Sequence, residues 1–430
     1  MIYTMGLAIG LIVLLFIGLH VASAISVLAF TADFFLLDSR MMASAASIAW
    51  DRMNEFSLIA IPLFVLLGEI LLRSGIANRL YTALAAWLER LPGGLLHTNT
   101  VASSLFAAMS GSSVATAATI GTVAIPILEE RGYNKHMVLG SLAAGGTLGV
   151  LIPPSILMIV YGALADVSVG KLFVAAVIPG LILTLLMSAI IITVTLFLGA
   201  DYKKAESMSL KKKVKLLLDI LPVTSIFIVI LGSIYFGFAT PTEAAALGIV
   251  AALGLTLYEK KLSVSMLHNA FHGTFKTTSM IILIIASAFC LNFVLSLLGI
   301  PQAASQAIME AGLSPYTMIW MLVIFYIILG CFLEAVSMMV TTVGIVVPIA
   351  VAAGFDSLWF GIFLTVLMEL SLITPPVGLN LYVVQNLRKG QTDISDVFVG
   401  VIPFVMAFFI LIAILIYYPQ VALWLPSMMK

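Results

Sequence analysis

Charged side chains are scarce in this chain. Asp, Glu, Lys and Arg together make up 9% of its 430 residues, whereas a typical soluble domain contains about 25%. Hydrophobic residues account for 62% of the sequence. So few charges cannot form a water-facing surface, and a single soluble core cannot enclose so much apolar surface. The composition therefore excludes a soluble globular protein and indicates a protein of the lipid bilayer.

Features that define several other functions are also missing. The formal net charge is +0 at pH 7, so the basic surplus typical of nucleic-acid binding is absent. The two cysteines, Cys290 and Cys331, lie in apolar stretches, which favours packing over disulfide chemistry. The sequence contains no Gly-x-x-x-x-Gly-Lys-Ser/Thr loop, so we expect no nucleotide binding of the P-loop type.

Long apolar blocks separated by short polar stretches fill most of the chain. About 20 apolar residues span the hydrocarbon core of a bilayer as a helix. Helix is the expected form because lipid offers no partner for a bare N–H or C=O group. The sequence therefore predicts an all-α, polytopic membrane protein. The predicted crossing helices lie near residues 5–20, 22–37, 56–72, 137–162, 172–199, 217–236, 242–258, 277–298, 358–386 and 397–418.

The distribution of lysines predicts the orientation in the membrane. Loops rich in Lys and Arg stay in the cytoplasm. Counting the predicted crossings back from the lysine-rich connection 200–215 places the N-terminus outside. The basic residues on the predicted cytoplasmic side include Lys203, Lys204, Lys211, Lys212, Lys213, Lys215, Lys260, Lys261, Arg388 and Lys389.

Two apolar stretches, about 97–131 and about 316–354, do not fit as simple crossings. Each is too long for one span, and small or polar residues interrupt each near its middle, at 109–116 and at 330–337. We predict that both are re-entrant hairpins, which enter and leave the membrane on one side. Their polar tips are tolerable only where they are buried in protein or line a wet cavity.

Each predicted hairpin is followed by a helix that contains a pair of prolines. Pro153 and Pro154 interrupt the segment 137–162, and the pair at 375–376 interrupts the segment 358–386. Adjacent prolines remove two backbone donors and clash with the preceding turn, so each helix must open at its pair. The freed carbonyl groups need a partner, and a cation is a suitable one.

The hairpin and the broken helix recur in the two halves of the chain. Pro126 and the pair 153–154 in residues 1–222 correspond to Pro348 and the pair 375–376 in residues 223–430, all at an offset of 222. An internal repeat with interrupted helices at equivalent positions is typical of secondary transporters. The predicted topology opens one hairpin inward and the other outward, as inverted repeats require.

These motifs resemble the large membrane subunit of tripartite ATP-independent periplasmic (TRAP) transporters. The resemblance covers essentially the whole chain. Three motifs carry it: Ser110-Gly111-Ser112-Ser113-Val114-Ala115-Thr116, Ala239-Thr240-Pro241-Thr242-Glu243-Ala244-Ala245-Ala246 and Ile373-Thr374-Pro375-Pro376-Val377-Gly378-Leu379-Asn380.

The resemblance implies a sodium-coupled importer of organic anions, such as carboxylates or acid sugars, in the bacterial inner membrane. It also implies an elevator motion and two partners, a small four-helix membrane subunit and a soluble periplasmic substrate-binding protein. No small subunit is fused to the N-terminus of this chain, so we expect that partner to be a separate polypeptide.

The resemblance also implies a first sodium site between the first hairpin tip and the first broken helix. Sodium is a hard cation and prefers several oxygen ligands, as other hard cations do. Close helix packing through small residues is the alternative interpretation. The residues expected to supply oxygens are Ser110, Ser112, Gly149, Ile152 and Pro154.

A second sodium site follows from the repeat, because the offset of 222 carries the first set onto Glu334, Ser371, Thr374 and Pro376. The second tip thus has a carboxylate where the first has the Ser112 hydroxyl. A carboxylate inside the membrane is costly and is a candidate functional group. Glu334 could neutralise a cation, accept a proton or cap a helix. Glu369 is similarly placed, with a polar contact to a neighbouring helix as its alternative.

We expect the substrate between the two tips and the two broken helices, with Thr116, Ser337 and Asn380 as polar contacts. Two alternatives remain. One is a stand-alone sodium–dicarboxylate carrier with two similar hairpins. The other is an intramembrane hydrolase that uses Ser112 and His20, although nothing in the sequence brings a histidine near either tip.

Two further polar patterns favour structural roles. Thr240, Pro241 and Glu243 form the pattern of a capping box with proline at the first helical position. His268 and His272 have the spacing of one helical turn, but no nearby Cys or carboxylate completes a metal site, so we interpret them as an interfacial helix face.

Overall fold

The computed structural model describes residues 2–198, 208–218, 220–310, 312–388 and 393–429, and all regular secondary structure there is helical. The predicted all-α class is confirmed. Lys203, Lys204 and Lys389 lie outside the described residues. The helices are α1 Ile2–Phe16, α2 Val21–Leu36, α3 Arg40–Met53, α4 Ala60–Arg73, α5 Ile76–Leu88, α6 Leu95–Ser110, α7 Ser113–Glu130, α8 Lys135–Leu151, α9 Ile156–Ala165, α10 Val169–Leu198, α11 Leu210–Leu218, α12 Leu221–Tyr235, α13 Pro241–Tyr258, α14 Val264–Leu297, α15 Ile300–Glu310, α16 Pro315–Leu329, α17 Ala335–Ala352, α18 Ser357–Ser371, α19 Leu379–Asn386, α20 Ile394–Tyr417 and α21 Gln420–Ser427.

Several described helices are long and apolar enough to cross a bilayer. A short 3₁₀ turn, Phe56–Ile59, joins α4 to complete one of these spans. The others are α10, α13, α14, α17 and α20, and the pair α8 and α9 adds one more, bent by 42° at its break. Shorter apolar helices stand at other predicted crossings, among them α2 and α18, and α16 is a shorter apolar helix in the first arm of the second predicted hairpin. The chain is therefore polytopic, as its composition predicts.

One predicted crossing differs in length from the observed helix. The crossing predicted at 277–298 is the end of a longer helix, because α14 already begins at Val264, where the Ser263 side chain accepts the Met266 N–H at 3.1 Å. The crossing predicted at 358–386 is interrupted around its proline pair, as predicted: α18 ends at Ser371, α19 begins at Leu379, and residues 372–378 between them are not helical.

Both predicted hairpins break where the sequence is small or polar. The first opens after α6, where Gly111 has a φ of +58°, which favours glycine. Ser112 then caps α7 by accepting the Ala115 N–H at 3.4 Å. The second break separates α16 from α17 at residues 330–334, and Glu334 caps α17. These breaks are as predicted, whereas the re-entrant path through a membrane and the elevator motion stay predictions.

The first proline pair also ends its helix as predicted. α8 stops at Leu151, Ile152 adopts extended backbone, and Ser155 caps α9 by accepting the Met158 N–H at 3.4 Å. The carbonyl groups of this extended segment therefore lie outside the helical hydrogen-bond ladder.

The capping box predicted at the start of α13 is present. Thr240 Oγ1 accepts the Glu243 N–H at 3.3 Å, and Glu243 Oε2 accepts the Thr240 N–H at 2.8 Å. Glu243 therefore has the structural role that its spacing predicts.

α8 lies at the centre of the molecule. Every residue from Met137 to Leu151 is buried, and the helix packs against α6, α7, α18, α19 and α20. Its crossing with α20 is close, because a Cβ added to Gly140 would lie 1.8 Å from the carbonyl oxygen of Gly400. The halves also interlock, since α17 of the second half packs against α9 of the first.

Candidate functional site

The first hairpin tip lies directly on the first broken helix. A Cβ added to Gly149 would lie 2.5 Å from the carbonyl oxygen of Ser112 and 2.7 Å from Thr116 Oγ1. Beyond the break, a Cβ added to Gly111 would lie 3.1 Å from the carbonyl oxygen of Pro154. The two glycines thus allow the tip and the opened helix to meet backbone to backbone.

The polar groups of this tip converge. Ser110 Oγ lies 2.7 Å from Thr116 Oγ1 and donates to the Ser112 carbonyl at 3.3 Å. Ser110, Ser112, Gly149 and Pro154 are therefore brought together by the fold, and Ile152 lies in the extended segment between them. The candidate ligand atoms in this cluster are all hydroxyl or carbonyl oxygens, and such a set fits a hard cation such as sodium.

Thr116 was a predicted substrate contact. It is fully buried, and its hydroxyl is within hydrogen-bond distance of Ser110. It therefore lies inside the first tip cluster, and its role toward substrate stays a prediction.

The second tip also packs on the second broken helix, here against a side chain. A Cβ added to Gly330 would lie 2.2 Å from Ser371 Cβ and 2.5 Å from its Oγ. Ser371 donates to the Met368 carbonyl at 2.6 Å, and Thr374 donates to the Leu370 carbonyl at 2.7 Å. Because each hydroxyl uses its hydrogen in this way, its lone pairs remain available to a cation.

Glu334 turns its carboxylate toward its own helix. Oε1 accepts from the Ser337 N–H at 2.7 Å and from Ser337 Oγ at 2.6 Å, and Oε2 accepts from the Val336 N–H at 3.0 Å. Among the described residues, no hydrogen bond joins it to Ser371, Thr374 or Pro376. The capping role is therefore observed, and the cation and proton roles stay predictions.

The remaining predicted substrate contacts occupy different settings. Ser337 is fully buried, and its hydroxyl donates a hydrogen bond to Glu334 Oε1. Asn380 is fully buried at the start of α19, where Nδ2 donates to the Ala143 carbonyl at 3.5 Å. Asn380 Oδ1 has no hydrogen-bond partner in the part of the chain that the structure describes.

One contact between the two halves cannot be predicted from the sequence. Ser113 Oγ, at the first tip, donates to Glu369 Oε2 at 2.7 Å, and both residues are buried. Ser113 Oγ also lies 3.5 Å from the Thr147 carbonyl on α8. The alternative interpretation of Glu369, a polar contact to a neighbouring helix, is therefore confirmed. Ser113 belongs to the tip motif, but nothing local to the sequence points to its partner.

A second missed feature is a buried polar chain that joins α5, α6 and α8. Tyr81 Oη donates to Asn99 Oδ1 at 2.8 Å, and Asn99 Nδ2 donates to Ser141 Oγ at 2.9 Å. All three side chains are fully buried, and a satisfied buried network of this kind specifies one arrangement of its helices. The first hairpin is thus held in register with the broken helix.

Ion pairs cluster at the open end of the first hairpin. Arg131 pairs with Glu89, and Lys135 at the start of α8 pairs with Asp396 at the start of α20. Arg388, just after α19, pairs with Glu129 at the end of α7. The open end of this hairpin therefore lies on the same face of the molecule as Arg388. The distribution of lysine and arginine predicts that this face is cytoplasmic.

Two solved membrane proteins share this arrangement of helices. The YdaH transporter of Alcanivorax borkumensis superposes with a TM-score of 0.63 over 91% of this chain and 90% of its own, at 12% identity. MtrF of Neisseria gonorrhoeae superposes with a TM-score of 0.54 over 95% of each chain, at 14% identity. The chain thus shares the polytopic helical fold of these two proteins.

The family follows from the sequence comparisons. Residues 5–421 match the model of the tripartite ATP-independent periplasmic transporter, DctM component, and the chain belongs to this family. It is 36% identical to the C4-dicarboxylate TRAP transporter large permease protein DctM of Pseudomonas aeruginosa, over 95% of this chain and 94% of that protein. It is 34% identical to the Vibrio cholerae protein of the same name, over 98% of each. The sialic acid TRAP transporter large permease protein SiaM of Vibrio cholerae is 29% identical over 97% of each.

Proposed function

We propose that this chain is the large membrane subunit of a sodium-coupled importer of organic anions in the bacterial inner membrane. The contact of Gly149 with the carbonyl group of Ser112 carries the proposal, because it sets an oxygen-only cluster at an opened helix. Ser110, Ser112, Gly149, Ile152 and Pro154 would hold one sodium ion. Bound sodium would supply positive charge beside an anionic substrate.

The second ion would lie at the equivalent place in the other half. Glu334, Ser371, Thr374 and Pro376 would hold it, with the carboxylate capping α17 at the same time. The contact of Gly330 with Ser371 supports this assignment, since it brings the second tip onto the end of α18 as in the first half. An elevator motion of the hairpins and broken helices against the remaining helices completes the proposal.

C4-dicarboxylates are the first substrates to test. Relatives in Vibrio cholerae and Pseudomonas aeruginosa that cover nearly the whole chain are named for C4-dicarboxylates, at 34% and 36% identity. Neither tip contains Lys or Arg at 109–116 or 330–337, so the anion would be held by hydroxyl groups and by the N-terminal ends of α7 and α17, which carry partial positive charge. Thr116, Ser337 and Asn380 are the proposed contacts.

Two partners belong to the proposal, a small four-helix membrane subunit and a periplasmic substrate-binding protein. The isethionate TRAP transporter permease protein DctMQ of Oleidesulfovibrio alaskensis supports the first. This chain covers 59% of that protein, at 30% identity, so a large part of it lies outside the match. For the present chain we propose a small subunit that is a separate polypeptide.

Uptake of radiolabelled succinate into proteoliposomes under an inward sodium gradient tests the assignment. The large subunit is assayed alone, with the small subunit, and with both the small subunit and the binding protein. We expect uptake only when all three are present. Sodium-driven uptake by this chain alone would instead identify a stand-alone sodium–dicarboxylate carrier. Sialic acid serves as the second labelled substrate if succinate is not taken up.

A further inference from the structure

Glu369 is a buried carboxylate that neither predicted sodium site uses. It lies on α18 and is fully buried. One oxygen accepts from Ser113 at 2.7 Å, and the other, Oε1, has no hydrogen-bond partner in the described ranges. None of the salt bridges between described residues includes it. A buried carboxylate that meets only neutral groups is costly unless a cation neutralises it.

A second unpaired oxygen, Asn380 Oδ1 on α19, belongs to a side chain that contacts the same face of α8 as Ser113. Ser113 Oγ is 3.5 Å from the Thr147 carbonyl, and Asn380 Nδ2 is 3.5 Å from the Ala143 carbonyl. Residues four apart share a helix face and are about 6 Å apart along the axis. The unpaired Asn380 Oδ1 therefore lies about one helical turn from the Ser113–Glu369 pair, and both oxygens are buried.

We propose that Glu369 binds a sodium ion at a third site, with Ser113 Oγ, Asn380 Oδ1 and the Thr147 carbonyl as further oxygen donors. The donor set contains one full negative charge and otherwise neutral oxygens, which suits a hard monovalent cation. Each of the other two sites draws its ligands from one half of the chain. This third site combines ligands from the tip of the first half with ligands from the broken helix of the second half. An ion there would join the two halves. The inference rests on the sodium coupling of the proposed function.

Binding of radioactive sodium to the purified protein tests this site without any need for substrate. Wild type is compared with Glu369→Gln, which removes the charge but keeps the acceptor for Ser113. Glu310→Gln is the matched control, since Glu310 is exposed on α15 and accepts a hydrogen bond from Gln306. We expect Glu369→Gln to bind one sodium ion fewer at saturation, and Glu310→Gln to bind as many as wild type.

Ser113→Ala provides a milder variant and decides the question if Glu369→Gln does not fold. It keeps the carboxylate and removes the hydroxyl that positions it, so the half-saturating sodium concentration of one site should rise about 10–100-fold. Equal sodium numbers and affinities in wild type and in the folded variants would overturn the third site and leave a protonated carboxyl group in its place. Absence of sodium binding by wild type itself would instead contradict the proposed function.

Discussion

Ser112 and Glu334 stand at equivalent positions of the two hairpin tips, and each caps the helix that follows it. Ser112 Oγ accepts the Ala115 N–H at 3.4 Å, and Glu334 Oε1 accepts the Ser337 N–H at 2.7 Å. In both cases the acceptor bonds to the third residue after it, as N-caps do. The backbone role is therefore shared, whereas the charge differs, and the second tip is the more anionic one.

Ser112→Ala should weaken the sodium response without unfolding the protein. The change removes one hydroxyl from a cluster otherwise made largely of carbonyl oxygens. Loss of an N-cap costs about 0.5–2 kcal/mol, and the long 3.4 Å contact places this cap at the lower end. The sodium concentration for half-maximal succinate uptake should rise, with detergent melting nearly unchanged. Ser225→Ala, at an exposed serine of α12, is the control. An unchanged sodium response in Ser112→Ala removes this side chain from the site.

Glu334→Gln should lower sodium affinity and reduce the coupling between sodium and substrate. An ionised Glu334 repels an anionic substrate unless a cation lies between them, so sodium should bind first. Such a coupling is reciprocal and is typically about 1–3 kcal/mol. Glutamine keeps the shape and one acceptor oxygen, so the cap is largely retained. Calorimetric titration of succinate at low and high sodium measures the coupling in both proteins. Identical coupling would leave Glu334 with its capping role alone.

Gly149→Ala should separate the first tip from the broken helix. Its Cβ would lie 2.5 Å from the Ser112 carbonyl oxygen, and backbone atoms cannot yield as a flexible side chain does. Overpacking of this kind costs about 1–3 kcal/mol. We expect a lower melting temperature and loss of sodium-dependent stabilisation. Gly254→Ala is the matched control, because no atom lies within 4 Å of the added Cβ. Equal sodium stabilisation in the two variants would show that this contact is not part of the ion site.

Glu243→Ala should affect stability but not sodium dependence. The change removes the carboxylate that accepts the Thr240 N–H at 2.8 Å, and loss of a cap costs about 0.5–2 kcal/mol. The melting temperature of the detergent-solubilised protein should fall, while the half-maximal sodium concentration for uptake stays as in wild type. A shifted sodium response would give Glu243 a role beyond the capping box.

The helix breaks could be predicted from the sequence because their causes are local. Gly111 supplies a left-handed backbone, Ser112 supplies a cap, and the pair Pro153 and Pro154 removes two N–H donors. Each effect acts within a few residues of its cause. The same reasoning fails for the start of α14, where the Ser263 cap extends the helix beyond the apolar run that marks its crossing.

The composition of the candidate site was only partly predictable. The repeat offset places Glu334 opposite Ser112, and both are N-caps in the structure. The bond from Ser113 to Glu369 joins residues 256 positions apart, and no periodicity or motif connects them. It arises because α8 brings the first tip and α18 together, which is a property of tertiary packing.

Succinate uptake with potassium in place of sodium is the most direct test of sodium coupling. Proteoliposomes that contain both membrane subunits and the binding protein receive equal inward gradients of sodium or potassium chloride, with no ATP present. We expect accumulation of succinate above its external concentration with sodium and none with potassium. Undiminished accumulation with potassium would contradict sodium coupling and, with it, the role assigned to both hairpin tips.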